Sequence, residues 1–281
     1  MRLDVYLYEQ GYAESRARAK FLICEGAVDV DGKTVKKPAF EIDETISHTV
    51  TVRDNVCPYV SVGGMKLDSA LTRFELDVTG DVCIDIGAST GGFTDCLISR
   101  GAAKVYAVDS GTSQLHEKLV SDPRVVSMEN TNARYLTSDD LGEKVSLAVC
   151  DVSFISQKLI MSAVASVLDE NGRFVTLIKP QFELDKRRVG RGVVSEPSDR
   201  AEAVSGVVNA AAEVGLELVA LTVSPVSGGG ISDERAQKRG NREYLAYFRF
   251  TGAKTPRVSD REIREFVKNE NSIALAARYK G

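Results

Sequence analysis

The apolar positions of this chain follow two different patterns, and each pattern predicts its own kind of structure. In residues 1–58 the apolar segments are short: "SRARAKFLICEG" has helical spacing, whereas "AVDVDGKTV" and "HTVTVRD" alternate as strands do. Ser15 is a suitable helix cap, and Asp31 followed by Gly32 is a strong signal for a hairpin turn. Residues 1–58 are therefore predicted to form a small α+β domain.

From Met65 onward, helical and strand-like segments alternate. Helices are predicted over "KLDSALTRFEL", "TDCLISRG", "SQKLIMSAVASVLDENG" and "DRAEAVSGVVNAAAEVGL", the third of them ending at Gly172. Strands are predicted over "DVCIDIGA", "KVYAVDSG", "VSLAVCDVSF", "FVTLIK", "ELVALTVSPV" and "REYLAYFRF". This alternation is typical of an α/β fold with a mostly parallel sheet covered on both faces. It places a second domain over residues 65–252, after a linker at 59–64 and before a tail at 253–281 with one helix.

Composition narrows the classes of protein that these domains can form. Hydrophobic residues make up 43% of the 281 residues, enough for a sizeable core, and the net charge of −4 excludes a uniformly basic nucleic-acid binder. The five cysteines are scattered, without a Cys-x-x-Cys pair, so neither a disulfide framework nor a zinc site is expected. The sequence shows no signal peptide and no membrane-spanning run, which predicts a cytoplasmic protein without a membrane partner.

A glycine-rich turn, "DIGASTGGF" at residues 85–93, follows the first strand of the second domain and opens a helix. Such a turn lets a ligand approach the backbone and the N–H groups of the helix. Ser89 replaces the middle glycine of a dinucleotide fingerprint, and the Asp85 carboxylate would repel a pyrophosphate but suits the amino group of S-adenosylmethionine. Asp109 ends the next strand, where it can bind a ribose diol, and Asn132 follows one unit later, where it can meet an adenine edge.

The glycines alone would be explained by a tight connection between strand and helix. With carboxylates at two successive strand ends, a nucleoside-type cofactor is the better interpretation, and S-adenosylmethionine is its best identity. The predicted cofactor-binding residues are Asp85, Gly87, Ala88, Ser89, Gly91, Gly92, Phe93, Asp109 and Asn132.

Charged residues also mark several later strand ends. Asp151 and Lys179 follow two predicted strands, on the side where open α/β sheets bind ligands. Glu243 opens the last strand, so it can join them only if that strand is antiparallel, and Lys66 opens the first helix of the domain. Each charge taken singly is explained by an ordinary salt bridge, but two lysines and two carboxylates in one pocket suit proton transfer. A lysine tuned towards its neutral form there could accept a proton from an alcohol.

These four residues resemble the Lys-Asp-Lys-Glu tetrad of the FtsJ-like ribose 2′-O-methyltransferases. The motifs "DIGASTGGFTDCLISRGA", "CDVSFIS", "IKPQFE", "VGRGVV" and "GNREYL" are similar to those of the TlyA-type proteins, which are often labelled hemolysin A. The head, "RLDVYLYEQGYAESRARAKFLICEGAVDVDGKTVKKP", resembles the S-four RNA-binding module.

The resemblance implies a Rossmann-like methyltransferase sheet behind an N-terminal RNA-binding domain. It implies methylation of ribose 2′-hydroxyls in ribosomal RNA from S-adenosylmethionine, without a metal. In that family pattern Lys179 deprotonates or orients the target hydroxyl, while Lys66, Asp151 and Glu243 support its charge state and position. Val62 departs from the pattern, because the family's linker usually has an arginine at this place.

Clusters of basic residues indicate where RNA would be held. One lies on the predicted N-terminal helix, one in "KRRVGR" just beyond the tetrad lysine, and one in a long loop at 228–242. The predicted RNA-binding residues are Arg16, Arg18, Lys20, Lys186, Arg187, Arg188 and Arg191, and the late loop adds Arg235, Lys238, Arg239 and Arg242. The expected partners are ribosomal RNA or ribosomal subunits, bound by a monomer or a weak dimer.

Four other functions remain open from the sequence. A catalytically weak RNA-binding assembly factor is the strongest of them. Val62, the run "VGRGVV", which is one glycine short of the family's usual run, and the late loop at 228–242, which is longer than expected, could have weakened catalysis. A nicotinamide dehydrogenase is disfavoured by Ser89 and Asp85, and a membrane-lytic hemolysin by the lack of an inserting segment. A base methyltransferase is disfavoured because Cys150 lacks a preceding proline and "VSF" replaces the Pro-Pro-aromatic run of amino-group enzymes.

Overall fold

The computed structural model describes residues 1–13, 15–24, 26–53, 57–190, 192–225, 241–254 and 258–270. Four of the predicted RNA contacts, at Arg191, Arg235, Lys238 and Arg239, lie outside these residues. No helix within these ranges combines the length and the apolar character needed to cross a bilayer.

The N-terminal region is a small α+β unit, as the short segments predict. It contains helices α1 (Leu3–Glu9) and α2 (Arg16–Cys24) and a three-stranded sheet of β1 (Val28–Val30), β2 (Lys33–Val35) and β3 (Val50–Val52). Strand β1 lies in the middle and pairs antiparallel with both neighbours. The turn at Asp31 and Gly32 joins β1 to β2, with both residues at positive φ, which is the backbone shape that favours this pair in tight hairpins.

The second region is built on a seven-stranded sheet in the order β6-β5-β4-β7-β8-β10-β9. Its strands are β4 (Val82–Ile86), β5 (Lys104–Val108), β6 (Val125–Met128), β7 (Val145–Cys150), β8 (Leu168–Ile178), β9 (Leu216–Val223) and β10 (Tyr244–Phe250). Strands β4 to β8 pair in parallel, whereas β10 runs antiparallel to both β8 and β9. The predicted α/β fold is confirmed, and the condition for Glu243 to join the other charged strand ends, an antiparallel last strand, is met.

Helices cover both faces of this sheet. They are α3 (Gly63–Arg73), α4 (Gly92–Ser99), α5 (Glu117–Val120), α6 (Ser138–Leu141), α7 (Met161–Val167), α8 (Pro180–Glu183), α9 (Pro197–Glu213) and α10 (Asp260–Asn269). Successive side chains of β8 point to opposite faces: Phe174 and Ile178 pack in one hydrophobic cluster, and Val175 and Leu177 pack in the other. A strand buried on both faces explains why this segment is apolar almost without interruption.

Three sequence predictions differ from the structure. The helix predicted to reach Gly172 ends at Val167, because Leu168 takes an extended backbone and pairs with Val145 of β7. Strand β6 was not predicted, since it is a four-residue edge strand without a fully buried side chain. Helix α3 starts at Gly63, inside the segment predicted to be a linker.

The C-terminal helix α10 packs on the main domain. Ile263, Phe266 and Val267 are buried in the same hydrophobic cluster as α9, and Ser259 and Glu262 form a capping box at its start. The one helix expected in the tail is therefore present, and it covers part of the core.

Candidate active site

A cavity of about 420 Å³ opens at the edge of the sheet where the parallel strands β4, β5 and β7 end. Gly87, Asp109 and Asp151 follow these three strands, and all three line the cavity. Ser89 and Asn132 complete this part of the wall. Ligands of open α/β sheets bind at this edge, so the sequence prediction and the cavity point to the same place.

The glycine turn needs its unusual backbone. Gly87 has a φ of +85°, and a Cβ added there would lie 3.1 Å from the carbonyl oxygen of Asp151, tighter than nine in ten real contacts of a Cβ. Ser89 is itself left-handed, with a φ of +49°, and its N–H donates to Asp109 Oδ2 at 2.8 Å. Asp109 thus fixes the shape of the turn from the neighbouring strand end.

Two polar side chains of the cavity wall, Asp109 and Asn132, accept hydrogen bonds from backbone N–H groups. The second oxygen of Asp109, Oδ1, accepts from Gly111 N at 2.7 Å. Asn132 caps a short 3₁₀ turn at Ala133–Tyr135, where its side-chain oxygen accepts from Arg134 N at 3.2 Å. Both side chains are therefore oriented before any ligand arrives.

Asp85 lies behind the turn and does not line the described part of the cavity. Its side chain is fully buried, and its Oδ2 accepts from the N–H of Thr94 at 2.9 Å and from the hydroxyl of Thr94 at 2.7 Å. Its Oδ1 is buried without a hydrogen-bond partner among the described residues. Burial raises the pKa of Asp85 to about 7, against the opposing effect of the Thr94 hydrogen bonds, and Asp151 and Asp109 raise it further.

The remaining predicted cofactor residues are buried in or against the turn and determine its shape by packing. Phe93 is buried in the hydrophobic cluster that holds Leu97, and Gly91 and Gly92 leave no room for a Cβ beside Leu119 and Ser61. Ala88 is also buried, and its N–H donates to the carbonyl of Val108 at 3.1 Å. These residues build the turn, whereas the cavity wall is formed by their neighbours.

The tetrad residues come together as two ion pairs. Lys66 Nζ in α3 donates to Glu243 Oε2 at 2.7 Å, and Lys179 Nζ lies 2.6 Å from Asp151 Oδ1. The register of β10 against β8 pairs Tyr244 with Ile178, so the next residues along, Glu243 and Lys179, meet at the same edge. The antiparallel last strand is the feature that brings Glu243 here.

The two pairs form one charge network. Burial lowers the pKa of Lys66, but attraction to Glu243 and then to Asp151, with the hydrogen bond from Glu243, outweighs burial and raises it overall. Lys66 therefore stays cationic. The contact of Lys179 with Asp151 is an ion pair without hydrogen-bond geometry, so Oδ1 of Asp151 keeps unused hydrogen-bonding capacity within the described residues.

Comparison with known proteins identifies the family. The sequence model of the FtsJ-like methyltransferase family matches residues 59–250, and that of the S4 domain matches residues 1–45. The chain belongs to the FtsJ-like methyltransferase family.

Three relatives show how far the likeness extends. The chain is 43% identical to a Mycobacterium tuberculosis protein named 16S/23S rRNA (cytidine-2′-O)-methyltransferase TlyA, across 88% of this chain and 89% of that protein. It is 40% identical to Hemolysin A of Brachyspira hyodysenteriae, across 88% and 99% of the two chains. A solved structure described as a hemolysin from Streptococcus thermophilus superposes with a TM-score of 0.74 at 39% identity, across 96% and 95% of the two chains. The predicted family, TlyA-type with an FtsJ-like domain, is confirmed.

The structure of this FtsJ-like methyltransferase also reveals residues that the sequence reading missed. Ser153 accepts a hydrogen bond from Lys179 Nζ at 2.7 Å and lines the cavity. Phe154 beside it is 92% exposed, has a φ of +67°, and packs its ring against Phe182 with the centroids 5.2 Å apart. Both lie in the motif "CDVSFIS", which indicates the family but not what these two side chains contact.

The predicted RNA-binding residues differ in what holds them. Arg16 lies 3.5 Å from the buried Asp4, and Arg18 donates to the carbonyl of Cys57 at 3.3 Å, whereas Lys20 is exposed. Arg187 is 90% exposed and pairs with Asp185 two residues earlier.

Arg188 and Arg242 are engaged by acidic side chains of the protein itself. Arg188 forms ion pairs with Asp199 and Glu202 of α9, which raise the pKa of its guanidinium, and Arg242 lies 3.1 Å from Glu270. Lys186 opens the same exposed turn as Arg187. The role of these residues in RNA binding stays a prediction.

Val62, the departure from the family's linker, has an apolar environment. It immediately precedes α3 and packs partly buried against the hydrophobic core of the N-terminal region. The neighbouring Val60 N–H donates to Asp95 Oδ2 at 2.9 Å, which ties the segment between the two regions to the first turn of α4. A valine at position 62 is therefore accommodated by packing, although it offers no charge.

Proposed function

We propose that this protein is an S-adenosylmethionine-dependent methyltransferase that methylates ribose 2′-hydroxyls of ribosomal RNA. The observation that carries the proposal is the pair of lysine–carboxylate contacts, Lys66 with Glu243 and Lys179 with Asp151, of which Asp151 lines the cavity. This arrangement suits removal of a proton from an alcohol beside a nucleoside-sized cavity. The names of the relatives support ribosomal RNA as the substrate and cytidine ribose as the position.

The residues at the cavity fit S-adenosylmethionine. Gly87 keeps the turn open where a Cβ would press on the carbonyl of Asp151, and Asp109 and Asn132 offer oriented oxygens for a ribose and an adenine. The buried Oδ1 of Asp85 lacks a hydrogen-bond partner within the described chain, so a cationic group nearby would stabilise its ionised form. When bound, S-adenosylmethionine supplies an electrophilic methyl carbon.

The chain's own part in the reaction is positioning and proton handling. Asp151 and Ser153, which line the cavity, hold Lys179 Nζ beside it. There Lys179 orients the 2′-hydroxyl and, in its neutral amine form, takes up the hydroxyl proton as the oxygen attacks. The cationic Lys66, paired with Glu243, also attracts Asp151, so that this carboxylate interacts with both lysines. The proton of the alcohol is thus transferred to Lys179, whose position is fixed by its contacts with Asp151 and Ser153.

The N-terminal region is the proposed RNA-binding domain, over residues 1–58. Its match to the S4 domain and its exposed cations support this role, because phosphate contacts position RNA without reading its sequence. The methyltransferase domain would then act at 65–252, with the segment 59–64 joining the two.

The experiment that tests the function is methyl transfer from labelled S-adenosylmethionine to small and large ribosomal subunits that have not been modified by this protein. The proposal expects saturable incorporation into RNA of at least one subunit. RNA binding without incorporation would instead support an assembly factor.

Cofactor affinity should depend on pH through Asp85. The pKa of about 7 means that the carboxyl is mostly neutral at pH 6 and mostly ionised at pH 8. If the ionised form stabilises the cationic cofactor, affinity rises by up to about tenfold between these pH values. Calorimetric titration with S-adenosylmethionine measures this, and the Asp85→Asn variant should bind weakly with little pH dependence. An equal slope in both proteins would show that the charge of Asp85 does not influence cofactor binding.

Phe154 provides the proposed platform for the target nucleotide. An exposed aromatic ring with a left-handed backbone is costly, which indicates a function rather than a packing role. A ring at the cavity wall beside Ser153 can stack on a base whose ribose faces Lys179.

Replacement of the Phe154 ring should therefore lower the efficiency of methyl transfer to RNA and leave the binding of the cofactor nearly unchanged. Stacking is worth about 1–3 kcal/mol per base, so Phe154→Ala should lower kcat/KM for ribosomal subunits by roughly 10–100-fold. Binding of S-adenosylmethionine should change little, and Phe154→Tyr should retain most activity. Val120→Ala, which trims another exposed apolar side chain, is the matched control. Unchanged kinetics in Phe154→Ala would contradict the platform.

A further inference from the structure

The segment 151–157 joins β7 to the turn before α7 and carries three groups of the proposed active site. Asp151, Ser153 and Phe154 all line the cavity, so the conformation of this segment determines the positions of their side chains. Residues 151–156 have no regular structure and Gln157 begins a short 3₁₀ turn, so the segment is held in place largely by its side-chain contacts. The contacts that hold it come mainly from one short element, α8.

The first contacts of α8 are made at its start. Lys179 caps α8 and reaches back to Asp151 at 2.6 Å and to Ser153 at 2.7 Å. One turn later, Phe182 packs its ring against Phe154. The beginning and the middle of segment 151–157 are thus attached to the residues that follow β8.

Glu183 attaches the other end of the segment. Its side chain is 8% exposed, and each carboxylate oxygen accepts one hydrogen bond: Oε2 from the hydroxyl of Ser156 at 2.6 Å, and Oε1 from the N–H of Gln157 at 2.8 Å. The side chain of Gln157 also donates to the carbonyl of Leu177 in β8 at 2.6 Å. A carboxylate bonded to two donors at a buried position is a strong and directional tether.

We infer that Glu183 is a positioning residue, which holds segment 151–157 in the shape that presents Asp151, Ser153 and Phe154 to the substrate. The inference rests on the proposed function, since it assigns the purpose of that shape. Lys179 and Glu183 lie four residues apart, at the two ends of α8, and bracket the segment from both sides. Burial raises the pKa of Glu183, against the opposing hydrogen bonds of Ser156 and Gln157, which agrees with a carboxylate kept in the interior by those bonds.

A glutamine should replace this carboxylate well. Its side-chain oxygen can accept from Gln157 N, and its NH₂ can donate to the hydroxyl of Ser156, because a hydroxyl is both donor and acceptor. An alanine removes both bonds and leaves the Gln157 end attached through the bond of the Gln157 side chain to the carbonyl of Leu177. Both variants remove the negative charge, but only the glutamine variant keeps the hydrogen bonds. Their comparison therefore distinguishes an effect of the hydrogen bonds from an effect of the charge.

The test compares Glu183→Ala and Glu183→Gln with the wild type, and uses Glu213→Ala on the exposed end of α9 as the control. For Glu183→Ala we expect faster hydrogen exchange of the amides at 152–157 and a fall in kcat for methyl transfer of about 10–100-fold, since small misplacements of reacting groups cost this much. S-adenosylmethionine affinity should change less than threefold. Glu183→Gln should recover exchange and kcat to within about threefold, and a thermal melt shows whether each variant is folded.

The outcomes separate the inference from the proposed function. Normal kcat in Glu183→Ala, or equal losses in both variants with unchanged exchange at 152–157, would overturn the positioning role. A wild type that transfers no methyl group would overturn the proposed function, and hydrogen exchange would still decide whether Glu183 holds the segment: accelerated exchange in Glu183→Ala supports it and unchanged exchange refutes it.

Discussion

Replacing Lys179 by alanine should abolish methyl transfer to ribosomal subunits while S-adenosylmethionine still binds. Proton transfer by a positioned side chain contributes about 10²–10⁴-fold to a rate, so the loss should be on the order of 10³-fold. The cofactor should be bound with nearly wild-type affinity, because the turn at Gly87 and the oxygens of Asp109 and Asn132 do not depend on Lys179.

The control for this experiment is Lys268→Ala, which removes an exposed lysine of α10. Single-turnover methyl transfer with saturating cofactor isolates the chemical step from binding. Lys179→Arg should also be inactive, because a guanidinium keeps its proton and cannot accept another. Full activity in either Lys179 variant would contradict the assigned mechanism.

Replacing Glu243 by alanine should damage both stability and activity. Lys66 and Glu243 are almost buried, with side chains 11% and 4% exposed, and their contact is 2.7 Å long. Removing one partner of a buried pair leaves the other charge uncompensated, which costs about 3–5 kcal/mol in the free energy of unfolding. Lys66 would then be drawn to Asp151, and that carboxylate would no longer hold Lys179 in place.

Denaturant unfolding and single-turnover transfer together measure this effect. We expect Glu243→Ala to lose about 3–5 kcal/mol of unfolding free energy and activity on the order of 10²-fold. Glu243→Gln keeps a hydrogen-bond acceptor for Lys66 and should lose less of both. Glu265→Ala breaks the exposed pair with Arg261 in α10 and should cost under about 0.5 kcal/mol. Equal stability of the Glu243 and Glu265 variants would show that the buried pair is not structurally important.

The strands of the large sheet other than β6, and the edge at which the tetrad residues meet, could be predicted from the sequence because they depend on local patterns. The apolar run of β8 requires burial on both faces, and residues that follow parallel strands must meet at one edge. Glu243 was expected to join the site only if the last strand ran antiparallel, and β10 does run antiparallel to β8. The end of α7 was misplaced because the backbone of Leu168 follows its pairing with β7, which no local pattern records.

The roles of individual side chains were harder to predict. Glu183 and Ser156 are 27 residues apart in sequence, and their contact depends on how α8 lies against the segment after β7. Phe154 would be read as a core residue by hydrophobicity, whereas its left-handed backbone places the ring outside. Asp85 and Phe93 were assigned to the cofactor by motif, but packing puts both behind the cavity wall. The sequence does not reveal which residues distant along the chain will be in contact, nor the direction in which a side chain points. These two features account for the roles that could not be predicted.

The position of the transferred methyl group tests the central claim most directly. Ribosomal subunits that lack the modification would be incubated with the protein and S-adenosylmethionine carrying a deuterated methyl group, and the RNA digested to nucleosides for tandem mass spectrometry. We predict that the label stays with the ribose when the glycosidic bond is broken, in the wild type and not in Lys179→Ala. Label found on the base, or no label in any nucleoside of the wild-type reaction, would contradict ribose 2′-O-methylation by this site.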